Sequence, residues 1–272
     1  MGDSRPDLTL PQRIEVANAE ALFQHSESCR QLFPDSGAAA IRVAGGVASF
    51  VGADVPVSYA VGLGLDGAVT NDDIAQIVEF YTSRGTVPRV DVCPLADASL
   101  LTALRQHDFQ LHWFTNVLAR PLGTVDNVPL PAEYIEVREA RPEEAELWAR
   151  VVDEGFSEGA PLTEARRRLG LMIFHRSSVH CYFAEMDGQP VAGGALFTHE
   201  GYAALAATSV LPAFRHRGVH TALIRTRLRQ ARELGCDLAG FFASPGSTSQ
   251  RNAERHGFKL VYSKATMKVV IG

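Results

Sequence analysis

The sequence contains few cysteines, no long apolar run and no excess of positive charge, and each absence excludes a class of protein. Its four cysteines, among 272 residues, are scattered without a C-x-x-C pair, which argues against a disulfide framework or a metal site. No apolar stretch approaches the length of a transmembrane helix. The net charge of −5 argues against a general nucleic-acid binder. We therefore expect free, partly buried thiols, no metal, and neither a membrane nor a nucleic-acid partner.

The remaining composition is that of an ordinary globular protein. Hydrophobic residues make up 46% and charged residues 21%, and the length is sufficient for two domains. The first residues, MGDSRPDLTL, lack the charged-then-apolar pattern of a secretory signal. Together these observations predict a cytoplasmic protein.

The first half of the chain alternates patterns typical of helices and strands. Apolar residues spaced by three and four predict a helix over 10–33, and Gly45-Gly46 predicts the turn of a hairpin over 38–51. Asn71 is the predicted N-cap of the next helix. The other predicted elements are strands over 57–65, 88–93 and 110–118 and a helix over 98–107.

The second half repeats this order after a proline-rich stretch, 121–131, which we interpret as a linker. Asp187-Gly188 is a strong signal for a hairpin turn. The predicted elements are a strand over 134–138, helices over 141–156 and 162–174, strands over 180–186, 190–198 and 202–210, a helix over 219–234, a strand over 237–243, a helix over 249–256 and the last strands over 258–270. The shared order indicates an internal duplication, with domains over 1–125 and 126–272.

The segment 210–223 carries the clearest functional signal. An apolar run over 203–211 ends at Pro212, and a short basic loop that contains Gly218 leads directly into an amphipathic helix. N–H groups at a helix start have no intrahelical partner, and the helix dipole adds partial positive charge there. A strand that opens through such a loop into a helix predicts a site for phosphate or pyrophosphate.

This segment, VLPAFRHRGVH, resembles the signature V-x-P-x-x-R-x-x-G-x-G/A of the GNAT N-acetyltransferase superfamily. A second similarity is the short helix closed by G-F in SQRNAERHGF, before the final strands. The resemblance implies an α/β (α+β) fold of two tandem GNAT-like domains, each a mixed, mostly antiparallel sheet flanked by helices. It also implies that acetyl-CoA binds the second half as a co-substrate.

The resemblance implies, by position in the signature, which residues contact the coenzyme. They are Ser209 and Val210 along the pantetheine arm, Arg215, His216, Arg217, Gly218, Val219, His220 and Thr221 around the pyrophosphate, and Ser249 and Asn252 beside them. His220 stands where the family has Gly or Ala, and a protonated imidazole there would help to hold phosphate.

The first half departs from the signature at the corresponding loop. Its sequence, DGAVTNDDIAQ, has no arginine and places acidic residues at the helix start. Acidic side chains at that position compete with phosphate for the same N–H groups. We therefore predict that the first half is a degenerate copy that binds no coenzyme.

The catalytic residues are less clear, because two groups that the family often uses are missing. The family's general-acid Tyr is replaced by Ala253, and the strand AALAATSVL has no Glu to act as a base. Thr208 could order a water, Glu185 could act as a base and Tyr262 could replace the acid. The alternative for each residue is a purely structural role. Thr208 would then be present for its β-strand propensity, Glu185 as a solvated surface residue and Tyr262 for packing.

The acceptor side of the site is predicted from one acidic segment. The resemblance implies that this segment covers the acceptor site. It contains Asp153, Glu154, Phe156 and Glu158, and its acidic residues would favour a cationic amine. A solvated acidic loop is an equal alternative. Cys181 could act as a nucleophile, although a buried structural thiol is the favoured interpretation.

The sequence therefore predicts an acetyltransferase that moves an acetyl group directly from acetyl-CoA to an amine of a small molecule or peptide. The alternative is a non-catalytic acyl-CoA binder or sensor, which the missing Tyr and Glu favour. A nucleotide binder is disfavoured because the loop lacks G-x-x-x-x-G-K-[ST] and G-x-G-x-x-G. The acceptor and the oligomeric state stay open.

Overall fold

The computed structural model describes residues 8–53, 55–123, 134–157 and 160–269. Within them, seven α-helices and eleven β-strands are defined. The helices are α1 (Leu10–Leu32), α2 (Asn71–Thr82), α3 (Ala98–Gln106), α4 (Ala145–Ser157), α5 (Glu164–Phe174), α6 (Val219–Glu233) and α7 (Thr248–Arg255). The strands are β1 (Ala39–Val43), β2 (Gly46–Phe50), β3 (Ala60–Val61), β4 (Arg89–Val92), β5 (Phe109–Pro121), β6 (Glu136–Glu139), β7 (Val179–Met186), β8 (Gln189–His199), β9 (Tyr202–Val210), β10 (Leu238–Ala243) and β11 (Lys259–Val269).

All eleven strands belong to one mixed sheet, in the order β1-β2-β3-β4-β11-β5-β10-β9-β8-β7-β6. Only the pairs β3–β4 and β9–β10 are parallel, and the other described pairs are antiparallel. The predicted α/β fold with mostly antiparallel strands is confirmed. The two predicted sheets are merged into a single one.

The centre of the sheet contains an exchange of strands between the halves. The last strand of the second half, β11, lies between β4 and β5 of the first half. The last strand of the first half, β5, lies between β11 and β10 of the second half. The linker predicted over 121–131 falls largely outside the described residues, and the division at 125/126 stays a prediction.

Helices cover both faces of this sheet. Neighbouring residues of β5 show this, because Val117 packs with residues of α1 and Leu118 packs with residues of α6. Alternate residues of β4 also face opposite sides of the sheet. Val90 and Val92 lie under α2 and α3, whereas Asp91 faces the α1 side. Helices α4 and α5 lie on the α1 face, and α1 contacts α5.

Four predicted details of the elements were wrong, and each has a local cause. The strand over 57–65 is reduced to β3, because the backbone turns at Gly62 and Gly64, which adopt φ of 77° and 70°. The turn of the first hairpin is Ala44-Gly45, with both φ angles positive, instead of Gly45-Gly46.

The other two details concern a cap and the chain end. Thr70, and not Asn71, caps α2, because the Thr70 hydroxyl accepts the N–H of Asp73. Residues 259–269 form one long strand instead of several, since β11 pairs with β5 along its whole length. The hairpin turn predicted at Asp187-Gly188 is confirmed, with φ of 52° and 73°.

Candidate functional site

The candidate site forms where β9 and β10 separate. These parallel strands pair from Tyr202–Leu238 to Ala204–Gly240, and β9 then continues to Val210 paired only with β8. A short 3-10 turn, Pro212–Phe214, and a basic loop connect β9 to α6. Gly218 is the N-cap of α6 with φ of 86°, no side chain caps the helix, and its first turn contains no acidic residue. The N–H groups of this turn are therefore available to an anion.

A cavity of about 710 Å³ surrounds this helix start. All the residues that the sequence predicted for the coenzyme line it, with the exception of Arg217. The predicted residues that line it are Ser209, Val210, Arg215, His216, Gly218, Val219, His220, Thr221, Ser249 and Asn252. The structure thus brings together two segments, the β9–α6 loop and α7, that lie about thirty positions apart in the chain.

The charge of this cavity is positive although the chain is acidic. Among the described lining residues there are three arginines, Arg215, Arg251 and Arg255, and no Asp or Glu. Arg251 and Arg255 were not predicted from the sequence. Their spacing of four within the segment SQRNAERHGF was the available signal, because such residues share a helix face.

The two arginines of the loop occupy different environments. The Arg215 guanidinium donates to the carbonyl of Gly155 at 2.9 Å and to that of Val210 at 3.3 Å, so it fastens the loop to α4 and to the end of β9. Arg217 is exposed, and its Cζ lies 5.6 Å from the ring centroid of Phe214. Arg215 therefore shapes the loop, whereas Arg217 presents its charge at the surface.

His220 is neutral at physiological pH, which corrects the expectation of a protonated imidazole. Burial lowers the pKa of His220 to about 4, and the charge of Arg227 acts in the same direction. The Asn252 carbonyl oxygen accepts from Arg255, so the Asn252 amide nitrogen faces His220 Nδ1, at 3.4 Å, and donates to it. This contact leaves the proton of the neutral ring on Nε2.

A fully buried arginine lies behind the site. Arg227 of α6 is 0% exposed, and its guanidinium donates to the carbonyls of Ala195 at 2.9 Å and Ala206 at 3.1 Å. It also donates to the hydroxyl of Thr208 at 2.8 Å. Burial lowers the pKa of Arg227 to about 9, so the group stays charged at neutral pH. Within the described residues, no carboxylate forms an ion pair with it.

A bulge in β9 makes room for this arginine. Ala207 adopts φ of 48°, and the register between β8 and β9 shifts between Gly193 and Ala195. A Cβ at Gly194 would lie 3.0 Å from the Arg227 guanidinium carbon, so a larger residue there would require the guanidinium to shift by a few tenths of an ångström. Thr208 lies immediately after the bulge and lines the cavity, which places a polarised hydroxyl beside the candidate site.

The other two candidate catalytic residues lie elsewhere. Glu185 of β7 accepts two hydrogen bonds from Arg138, at 2.7 and 3.0 Å, near the sheet edge formed by β6. Tyr262 of β11 donates to Glu15 at 2.5 Å on the α1 face. Neither residue lines the cavity of the candidate site.

The predicted acceptor segment is only partly described. Phe156 lines the cavity and is 61% exposed, whereas Asp153 is held 3.4 Å from Arg166. Glu158 lies outside the described residues. Cys181 is buried, and burial raises the pKa of its thiol, which supports the structural interpretation.

In the first half, the corresponding helix start is that of α2, and its N–H groups are capped by neighbouring side chains. The Thr70 hydroxyl accepts the Asp73 N–H at 3.2 Å, and the Asp73 carboxylate accepts the Thr70 N–H at 2.8 Å. Asp72 adds a second negative charge to the first turn of α2. The N–H groups are thus partly satisfied and the local charge repels phosphate.

These features define an α/β protein with one strand–loop–helix whose geometry and charge suit an anion. A sequence model of the Acetyltransferase (GNAT) family matches residues 134–258. The second half of the chain therefore resembles a GNAT-family domain, and the fold of the whole chain is similar to that of a solved tandem GNAT protein. A comparison with curated proteins finds no significant match.

Solved structures share this fold along nearly the whole chain. A GCN5-related N-acetyltransferase from Kribbella flavida has a TM-score of 0.70 and 16% identity, with 97% of each chain covered. A tandem GNAT protein from the clavulanic acid biosynthesis pathway has a TM-score of 0.60 and 14% identity, covering 97% of this chain and 95% of that one. A GCN5-related N-acetyltransferase from Sphaerobacter thermophilus has a TM-score of 0.59 and 15% identity, covering 94% and 92%.

No helix in the described ranges is long and apolar enough to cross a membrane. The same ranges contain no group of three or more His, Cys, Asp or Glu side chains arranged to hold a metal ion.

Proposed function

We propose that the second half binds acetyl-CoA and transfers its acetyl group to an amine. The observation that carries this proposal is the uncapped start of α6, which opens into a cavity lined by three arginines and, among the described residues, by no carboxylate. A polyanionic ligand is the partner that such a surface favours. The resemblance of the second half to an acetyltransferase family supports acetyl-CoA as that ligand.

The fit of the coenzyme follows from the elements around the cavity. The N–H groups at Gly218 and Val219 would donate to the pyrophosphate, and the backbone of Ser209 and Val210, where β9 has no β10 partner, would hydrogen-bond the pantetheine arm. The Ser209 side chain is already engaged, because its hydroxyl donates to the Val152 carbonyl at 2.8 Å. Only its backbone is therefore assigned to the coenzyme. Arg251 and Arg255 on α7 would meet the remaining phosphate.

The proposed acetyl transfer depends more on stabilising the negative charge that develops during the reaction than on a strong general acid. The amine nitrogen attacks the acetyl carbonyl carbon, the carbon–sulfur bond breaks, the amine proton passes to solvent and coenzyme A leaves as a thiolate. Thr208 is the residue that we assign to this charge, because Arg227 donates to its hydroxyl oxygen and so makes the hydroxyl a better donor, while the hydroxyl proton makes only a long contact, at 3.4 Å, with the Ala206 carbonyl. This assignment compensates for the absence of a Tyr at Ala253.

Calorimetric titration tests the choice of ligand. The full chain is expected to bind acetyl-CoA and not ATP, and Arg217→Glu is expected to weaken acetyl-CoA binding by tenfold or more because it places a negative charge beside the loop. Arg150→Glu, an exposed site on α4, is the matched control and should leave the affinity unchanged. Absence of heat with acetyl-CoA in the unmodified chain would overturn the proposal.

Thiol release separates the enzyme from the non-catalytic binder. Acetyl-CoA is incubated with the protein and a panel of small amines and peptides, and free coenzyme A is measured with a thiol reagent. Amine-dependent release supports transfer. Tight binding of acetyl-CoA with no release for any amine of a broad panel would favour the sensor, which the missing Tyr and strand Glu already suggest as the second candidate.

A further inference from the structure

A second cavity, of about 150 Å³, lies on the α1 face of the sheet. Residues of both halves line it, since Asp91 comes from β4, Trp113 from β5, Phe242 from β10 and Lys264 from β11. Three strand spacings of about 4.8 Å separate β4 from β10, so Asp91 lies roughly 14 Å from β10. No residue that lines this cavity also lines the candidate coenzyme cavity, so the two cavities are distinct.

The charges around this cavity leave one carboxylate without a cationic partner. Lys264 is held by Glu15 of α1, at 2.8 Å, and Arg89 donates to the carbonyls of Val55, Pro56 and Ser58. Asp91 accepts only the hydroxyl of Thr266, at 2.5 Å, and within the described residues it forms no ion pair.

A carboxylate in such surroundings favours a positively charged ligand. Burial raises the pKa of Asp91, and the positive charges of Lys264 and Arg89 do not offset this effect. A ligand that brings a cation and N–H donors would supply what the protein does not. An ammonium group is compact enough for this small cavity.

Aromatic side chains form the rest of the wall. Tyr59, Trp113 and Phe242 line the cavity, and Trp113 is 43% exposed at its mouth. Lys264 Nζ already lies 5.1 Å from the Phe242 ring centroid, so Phe242 offers its ring to the apolar body of a small ligand, whereas the other rings also attract a cation at their faces. The combination of a carboxylate with aromatic rings is typical of sites for organic ammonium groups.

We propose that this cavity binds a small primary ammonium ligand, with Asp91 accepting its N–H groups and Trp113 and Phe242 contacting its apolar body. The first half, whose helix α2 is capped by its own residues, then contributes Asp91 and Trp113 to a ligand site that the two halves share. This site goes beyond the proposed acetyl transfer and does not depend on it.

Fluorescence titration of the full chain without coenzyme tests the proposal, with n-propylamine as the probe and propan-1-ol as its neutral counterpart. The chain has two tryptophans, and the other one, Trp148, is fully buried, so a saturable change reports on Trp113. We expect saturation with n-propylamine and none with propan-1-ol. Absence of saturation with n-propylamine, or equal binding of the alcohol, would overturn the proposal.

Variants locate the binding, measured by calorimetry. Asp91→Asn keeps an acceptor for Thr266 and is expected to weaken n-propylamine binding about tenfold to a hundredfold. Glu79→Gln, which removes one charge from the exposed face of α2, should bind as the unmodified chain does. If circular dichroism shows that Asp91→Asn is unfolded, Trp113→Ala at the cavity mouth replaces it as the test variant. Unchanged n-propylamine affinity in Trp113→Ala would contradict the proposal.

Discussion

At the scale of single residues, burial determines how two side chains of α6 behave. His220 is a residue that usually titrates near neutral pH, yet its surroundings keep it uncharged. Arg227 has the sequence context of a solvated helix face, RTRLRQAR, and is completely buried against a strand bulge. The bulge explains the difference, because its carbonyls and Thr208 provide the acceptors that water would otherwise provide.

The titration of His220 gives a prediction about stability and pH. An unfolded chain takes up this proton near pH 6.5, whereas the folded chain does so only near pH 4. Between these values the unfolded chain binds more protons, so lowering the pH favours unfolding. His220→Gln should therefore reduce the loss of unfolding free energy between neutral pH and about pH 4, by on the order of 2 kcal/mol.

Urea unfolding at both pH values measures this difference. The exposed His175→Gln is the control, since it also removes an imidazole. An equal loss of stability in the unmodified chain and in His220→Gln would contradict the assignment of a buried, neutral ring.

Thr208 gives a prediction about the reaction. Thr208→Val keeps the branched shape and removes the hydroxyl that Arg227 contacts, so thiol release should slow about tenfold, with acetyl-CoA affinity unchanged. Thr208→Ser restores the hydroxyl and should recover most of the rate. Thiol release and calorimetry on the same preparations separate the two effects, and a Val variant with the full rate would exclude a role for this hydroxyl.

At the scale of elements, two helix starts with the same position in the fold have opposite properties. Helix α6 begins at an uncapped Gly218, whereas α2 begins at Thr70 and Asp73, which satisfy each other. This contrast was predictable from the sequence, because caps and first-turn charges are set by a few neighbouring residues. The arginines of α7 were harder to assign, since only the folded chain brings them beside the loop.

Helix α1 is tied to β11 by a buried ion pair, which gives a prediction about folding stability. Glu15 and Lys264 are 0% and 1% exposed, and Tyr262 donates to the same carboxylate. Glu15→Gln leaves the Lys264 charge without its partner and is expected to cost about 3–5 kcal/mol of unfolding free energy. The double variant Glu15→Leu/Lys264→Met removes both charges and should regain most of this loss. Urea unfolding compares them, and a single variant that loses less than about 1 kcal/mol would contradict this account.

At the scale of the whole molecule, the halves are connected through the sheet as well as by covalent linkage. The sequence repeat predicted two copies of one unit, and the fold agrees with that. The exchange of β5 and β11 was not predictable, because strand periodicity shows which residues share a face but not which strand lies alongside. The buried pair of Glu15 with Lys264 and the ion pair of Arg13 with Asp237 join residues more than 200 positions apart for the same reason.

The strand exchange predicts that neither half folds alone. A fragment of residues 126–272 would retain β10 without the neighbour β5 and β11 without either of its neighbours, β4 and β5. Unpaired strand edges of this kind promote aggregation. We expect the two fragments, 1–125 and 126–272, to be insoluble when expressed separately and to purify together when co-expressed, as measured by affinity capture of a tag on one fragment. Because the coenzyme cavity lies in the second half, a monomeric 126–272 fragment that binds acetyl-CoA would show that the exchange is dispensable.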